Sequence, residues 1–140
     1  MTEKNKPTLD ELEKELKKHP TSDELRALYA ESLIDEGLLD EALVQYRGLI
    51  KRHPDKADLY YNIGIIYEKQ NELKLAQNYF EKAVKLSPED ADFRYSLAFT
   101  LDRSDNVERA IDEYRKTIEL NPMDSNAHFN LGCIYTKIDE

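Results

Sequence analysis

A 34-residue period runs through the chain, and it constrains the fold more than any other feature. Prolines stand at Pro20, Pro54, Pro88 and Pro122, each 34 residues after the last. Alanines at Ala42, Ala76 and Ala110 keep the same step, as do aromatics at Tyr46, Phe80 and Tyr114. Small residues recur in the same way at Ala30, Gly64, Ala98 and Gly132. Four residue classes in one register mean that one supersecondary unit is repeated, and such a unit buries its apolar face by stacking on its neighbours.

Each unit reads as two helices. In the second unit, Asp55 is expected to cap a helix over 57–70, where Leu59, Tyr60, Ile63, Ile66 and Tyr67 recur at helical spacing. A second helix over 73–86 carries Leu75, Ala76, Tyr79, Phe80, Ala83 and Leu86. Ser87-Pro88 ends it, because proline pushes the residue before it out of the helical region. The turn between the two helices falls at Gly37, Asn71, Asp105 and Asp139 in successive units, types that tolerate a left-handed backbone. Gly64 and Ala76 are expected to face each other where the helices approach closely. Ahead of the repeats, Thr8 and Glu11 have capping-box spacing. Leu9, Leu12 and Leu16 there form one narrow apolar stripe on a charged segment, as a terminal cap requires.

Charge and composition then exclude several classes of function. With 29 acidic against 20 basic residues the net charge is −9, which sets aside nucleic acid, since phosphate binding needs clustered Lys and Arg. No segment approaches the ~18 apolar residues of a membrane span. The first twenty residues are charged throughout and lack the apolar core of a signal peptide, so a cytoplasmic chain is expected. There is no glycine-rich phosphate loop, zinc motif or nucleophile motif. His19 and His53 precede prolines at helix ends, where the helix dipole accounts for them. His128 reads as a packing residue, and nothing near Cys133 in sequence would activate its thiol. No catalytic residue, metal site or cofactor is expected.

The second unit, "YYNIGIIY" followed by Ala76, Phe80 and Pro88, resembles the tetratricopeptide repeat. Tyr60, Ile63-Gly64, Tyr67, Ala76, Phe80 and Pro88 match that family's pattern. The next unit departs from it with Arg94 in place of the first aromatic, Ala98 for Gly and Leu101 for Tyr. The unit from Asp23 departs furthest, with Arg26, Tyr29-Ala30 and Leu33. The resemblance implies an all-α, right-handed solenoid of antiparallel helix pairs. It would hold about three and a half units plus an N-terminal capping helix: residues 1–20 as tail and cap, and 21–140 as the array. The units would span 23–56, 57–90, 91–124 and a half-unit over 125–140.

In this family the first helix of each unit is taken to line a concave groove. The resemblance therefore implies a non-enzymatic module binding an extended or helical segment of another protein. Its partner-binding residues would be Glu31, Tyr61, Asn62, Ile65, Tyr95, Phe99, Asp102, Phe129 and Asn130. Tyr61, Ile65, Tyr95, Phe99 and Phe129 are expected to form a solvent-facing apolar strip with no packing role, and Asn62 and Asn130 to bond a peptide backbone. Glu31, Glu68 and Asp102 lie away from helix N-termini and favour a partner with basic and apolar residues. Of the positions with which chaperone-tail-binding members hold a C-terminal carboxylate, only Asn62 fits, so that ligand is not expected. The last helix lacks a second helix to cover it. Either the chain is a piece of a longer array, cut at the turn residue Asp139, or the bare edge pairs with another copy, and in either case self-association through it is expected. Leu131, Tyr135 and Ile138 on it are expected to form a self-association edge, closing a homodimer by two-fold pairing. A structural element that assembles through this edge is the alternative function.

Overall fold

The computed structural model describes residues 6–139, so the first five residues of the expected N-terminal tail, and Glu140, lie outside the described residues. Among these there are eight helices and no strand: α1 (Leu9–Lys18), α2 (Asp23–Asp35), α3 (Leu39–Arg52), α4 (Ala57–Lys69), α5 (Leu73–Leu86), α6 (Ala91–Arg103), α7 (Val107–Leu120) and α8 (Ser125–Asp139). The turns come where the small and amide-like residues stand. Gly37 has φ +78°, and Asn71 and Asp105 both have φ +60°. Asp139, expected as the fourth turn residue, is instead the last residue of α8. Helix starts follow the period less faithfully. Ser22, Asp90 and Asp124 each accept a backbone N–H of the first turn, at 3.3, 3.1 and 3.0 Å. The matching residue of α4 is Lys56, which makes no side-chain cap, so Asp55 does not cap that helix.

The chain divides into two compact units, Met1–Asp55 and Lys56–Glu140. In the first, Thr8 and Glu11 form the expected capping box on α1. Leu12 is buried on α2, while Leu9 and Leu16 flank it half-buried. Ala30, Leu33, Ala42, Tyr46 and Leu49 form the α2/α3 core. Arg52 and His53, at the end of α3, both pair with Asp23 at the start of α2. The bond from His53 holds the Asp23 carboxyl below its usual range. His53 thus ties two helices together besides meeting its own helix end.

Tyr46 is fully buried, and its hydroxyl has no hydrogen-bond partner. An unpaired buried hydroxyl costs about 1–3 kcal/mol. Tyr46→Phe removes that group without changing the ring, so the substitution is expected to stabilise the chain by about 1 kcal/mol. A urea titration that shows a loss of that size would mean the hydroxyl has a partner in solution.

In the second unit the core runs through Leu59, Ile63, Ile66, Phe80, Ala83, Phe93, Leu97, Leu101, Tyr114 and Ile134. The close approach of α4 to α5 is made at Gly64. A Cβ on Gly64 would stand 2.5 Å from the Phe80 ring, so it is the aromatic one turn after Ala76 on α5 that uses the missing side chain. Ala76 is itself fully buried.

Candidate functional site

The departures from the aromatic pattern have a common geometry. Arg26 donates to the carbonyl of Pro20 (3.1 Å) and to Gln45 Oε1 on α3 (2.6 Å), 19 residues on. Arg94 repeats both contacts, donating from Nε to the Pro88 carbonyl and from a terminal nitrogen to Glu113 on α7, each at 2.9 Å. In the unit between them the same pair of positions holds Tyr60 and Tyr79, stacked with ring centroids 6.5 Å apart. His128 donates to the Pro122 carbonyl at 2.9 Å. One clamp between first and second helix is therefore built three ways: polar, aromatic and ionic. The sequence pattern marks Arg26 and Arg94 as misfits. The signal that explains them is the column Gln45, Tyr79, Glu113, which changes in step with Arg26, Tyr60, Arg94.

Tyr61 and Tyr95 have a packing role that the expected solvent-facing strip excludes. The Tyr61 ring lies 4.7 Å from Phe93 and 5.6 Å from Phe80, and its hydroxyl accepts from Ser96 at 3.4 Å. Tyr95 lies edge-on to Tyr114 at 5.9 Å, and its hydroxyl accepts from Asn130 Nδ2 at 3.0 Å. Both bonds span 35 residues and join one first helix to the next, α4 to α6 and α6 to α8. Burial pushes both phenols above their usual range. Helical periodicity gives the direction in which these rings leave their own helix; the neighbouring first helix stands close enough to receive them. Asn130 uses one of its two amide N–H groups on Tyr95.

Other expected residues remain accessible. Ile65 and Phe99 are half-buried, one turn beyond the two tyrosines on α4 and α6. Phe99 stacks on Tyr95 at 6.2 Å and carries Arg103 over its ring at 5.7 Å. Asn62 makes no side-chain hydrogen bond among the described residues, and Phe129 is 70% exposed. Glu68 and Asp102 are half-buried. Burial pushes the Glu68 carboxyl up against the opposing pull of Arg103 and Lys69. Glu31 is exposed on α2 and belongs to the first unit. On α8, Ile134 is buried and Leu131 half-buried, whereas Tyr135 and Ile138 are exposed. Arg115 of α7 donates to the Tyr135 hydroxyl at 2.7 Å. Among the described residues no group of His, Cys, Asp and Glu is placed to hold a metal ion, and no helix is long and apolar enough to cross a membrane.

Family models described as tetratricopeptide repeat match residues 57–90 and 79–112, and one described as TPR repeat matches residues 30–71. No curated protein matches the sequence. Among solved structures, MamA 41-end from Desulfovibrio magneticus RS-1 superposes with a TM-score of 0.84 at 24% identity, over 94% of this chain and 74% of that one. The first TPR of Spaghetti (RPAP3), bound to the HSP90 peptide SRMEEVD, gives a TM-score of 0.80 at 19% identity, over 84% of this chain and 94% of that one. YrrB, a TPR protein with an unusual peptide-binding site, gives 0.77 at 21% identity, over 94% and 68%. At these identities the likeness is one of fold.

Proposed function

The chain belongs to the tetratricopeptide repeat family, and from that premise we propose that its second unit is a non-enzymatic module binding a segment of another protein. The binding surface is the face of the first helices: Asn62 and Ile65 on α4, Phe99 and Asp102 on α6, Phe129 and Asn130 on α8. Tyr61 and Tyr95 form its floor. One observation carries the reading. Ile65 and Phe99 leave apolar surface uncovered on the helices that also carry Asn62, whose amide has no partner among the described residues, and the half-buried carboxylates Glu68 and Asp102. Apolar area next to unpaired polar groups suits a partner better than it suits water. Two similar folds are described with peptides or a peptide-binding site, which supports the same class of function here.

The carboxylates favour a segment rich in Lys or Arg interleaved with apolar residues, and disfavour an acidic tail. A random peptide library selected on the intact chain is expected to yield such sequences. Their affinity falls as salt rises. Ile65→Ala and Phe99→Ala should each weaken the selected peptide by about tenfold or more. The peptide SRMEEVD serves as the acidic control. Enriched sequences that are acidic, or affinity untouched by both substitutions, would overturn the proposal.

A further inference from the structure

One face of α6 carries a column with a member every four residues: Tyr95, Phe99 and Arg103. The rings of Tyr95 and Phe99 are nearly parallel, inclined by 13°, with centroids 6.2 Å apart. The guanidinium carbon of Arg103 lies 5.7 Å from the Phe99 centroid. A terminal nitrogen of Arg103 donates to Asn71 Oδ1 at 3.0 Å, at the turn between α4 and α5. Burial pushes the Glu68 carboxyl up, and Arg103 is the stronger of the two positive charges that oppose it. Arg103 thus reaches from α6 to the preceding helix pair, and on the way it covers a ring within the field of an acid.

The repeat does not demand this arrangement. The positions of Phe99 and Arg103 hold Ile65 and Lys69 on α4, and Cys133 and Lys137 on α8. A cation therefore recurs near the end of each of these helices, but only on α6 does it have a ring to lie on. Cations also stand over rings at Lys82 with Tyr60 and at Arg115 with Tyr135, and neither of those rings belongs to the proposed binding surface. Arg103 and Asn71 are both exposed, and Phe99 is half-buried. A cation over a ring at an exposed site is held weakly, so another cation can displace it. The surroundings of the Arg103 guanidinium are those that the proposed partner's basic residues would seek: apolar area, a ring face and a carboxylate.

We infer that the Phe99 ring, with Glu68, is a guanidinium subsite of the binding surface, that Arg103 fills it in the free chain, and that an arginine of the bound segment takes the place of Arg103. The inference rests on the peptide-binding reading and names the residue of the partner that the surface selects. A planar guanidinium stacks on a ring face, whereas an ammonium is a compact, strongly hydrated charge, so the subsite prefers Arg to Lys. Arg103 acts as a competitor within the chain. Affinity for the segment is lowered in proportion to the fraction of molecules in which Arg103 lies on the ring.

Titration of the full chain with N-acetylarginine amide, followed by the backbone amide shifts of α4 and α6 in NMR spectra, tests the subsite without any peptide. Arg103→Gln is expected to bind this probe about fivefold more tightly than the wild type. Arg103→Gln with Phe99→Leu should lose that gain, and N-acetyllysine amide should bind Arg103→Gln less tightly than the arginine probe does. Arg103→Met, which keeps the apolar stem, replaces Arg103→Gln if circular dichroism shows a loss of helix. Lys69→Gln makes the same change of charge where no ring stands, and should alter affinity by less than about twofold. Equal gains from Arg103→Gln and Lys69→Gln would mean that charge alone acts, and would overturn the inference; so would the absence of a gain in Arg103→Gln. Library peptides that need Phe99 but bind Arg103→Gln no more tightly than the wild type sink the subsite and leave the peptide-binding reading standing. A library that yields no binder, beside a probe that behaves as expected, overturns that reading and leaves the subsite.

Discussion

Arg94→Ala is expected to lower stability by about 3 kcal/mol, because it strands Glu113 in a site that water barely reaches. The Arg94 and Glu113 side chains are 15% and 11% exposed, and their bond is 2.9 Å long. Lys116, 3.5 Å from the other Glu113 oxygen, keeps the loss near the low end for a broken buried pair. The loss should read as a fall in the urea midpoint with little change in slope. The neighbouring repeat supplies the rescue. Arg94→Tyr combined with Glu113→Tyr rebuilds the Tyr60/Tyr79 pair in the next unit. Replacing a buried ion pair by packed apolar groups is often neutral, so the double variant should return to within about 1 kcal/mol of the wild type. If it is no more stable than Arg94→Ala, the three clamps are not interchangeable.

Gly64→Ala is the other large effect. Alanine gains about 1 kcal/mol over glycine in a helix interior. Here the added methyl would stand 2.5 Å from a ring that is itself fully buried, so either the ring or the helix must move. Overpacking of this kind costs about 1–3 kcal/mol, and a net loss of about 1–2 kcal/mol is expected after the propensity gain. Gly48→Ala is the control. Gly48 also lies within a helix, but a Cβ there meets nothing within 4 Å, so that substitution should stabilise. Thermal melts of the two variants should therefore shift in opposite directions. A Gly64→Ala chain as stable as Gly48→Ala would mean that α4 and α5 can part without loss.

What the sequence disclosed, and what it withheld, follows from the range of the interactions. The turns at Gly37, Asn71 and Asp105 were legible because a left-handed residue is a local demand. The helices were legible because their apolar spacing is local too. The cap of α4 was misplaced because the period puts a lysine where Ser22, Asp90 and Asp124 serve the other first helices. Tyr61 and Tyr95 were assigned to solvent because periodicity gives the direction in which a side chain leaves its helix, and not how near the next helix stands. The division after Asp55 was not legible, since Pro54 keeps the period as faithfully as Pro88 does. Ile65, Phe99 and Phe129 come through with uncovered surface, and they are the part of the proposed site that no packing contact between first helices claims.

The clamp within each helix pair has a consequence for how such a chain can grow. Its two residues sit 19 positions apart, inside one repeat, so a duplicated stretch of sequence carries both halves with it. The tie to the next repeat asks far less: a tyrosine on one helix and a small polar donor on the following one, which serine and asparagine supply alike. A gene segment copied in frame would therefore arrive with both halves of its clamp in place. Arginine–glutamine, tyrosine–tyrosine and arginine–glutamate could then drift apart in descent, each pair answering to itself alone.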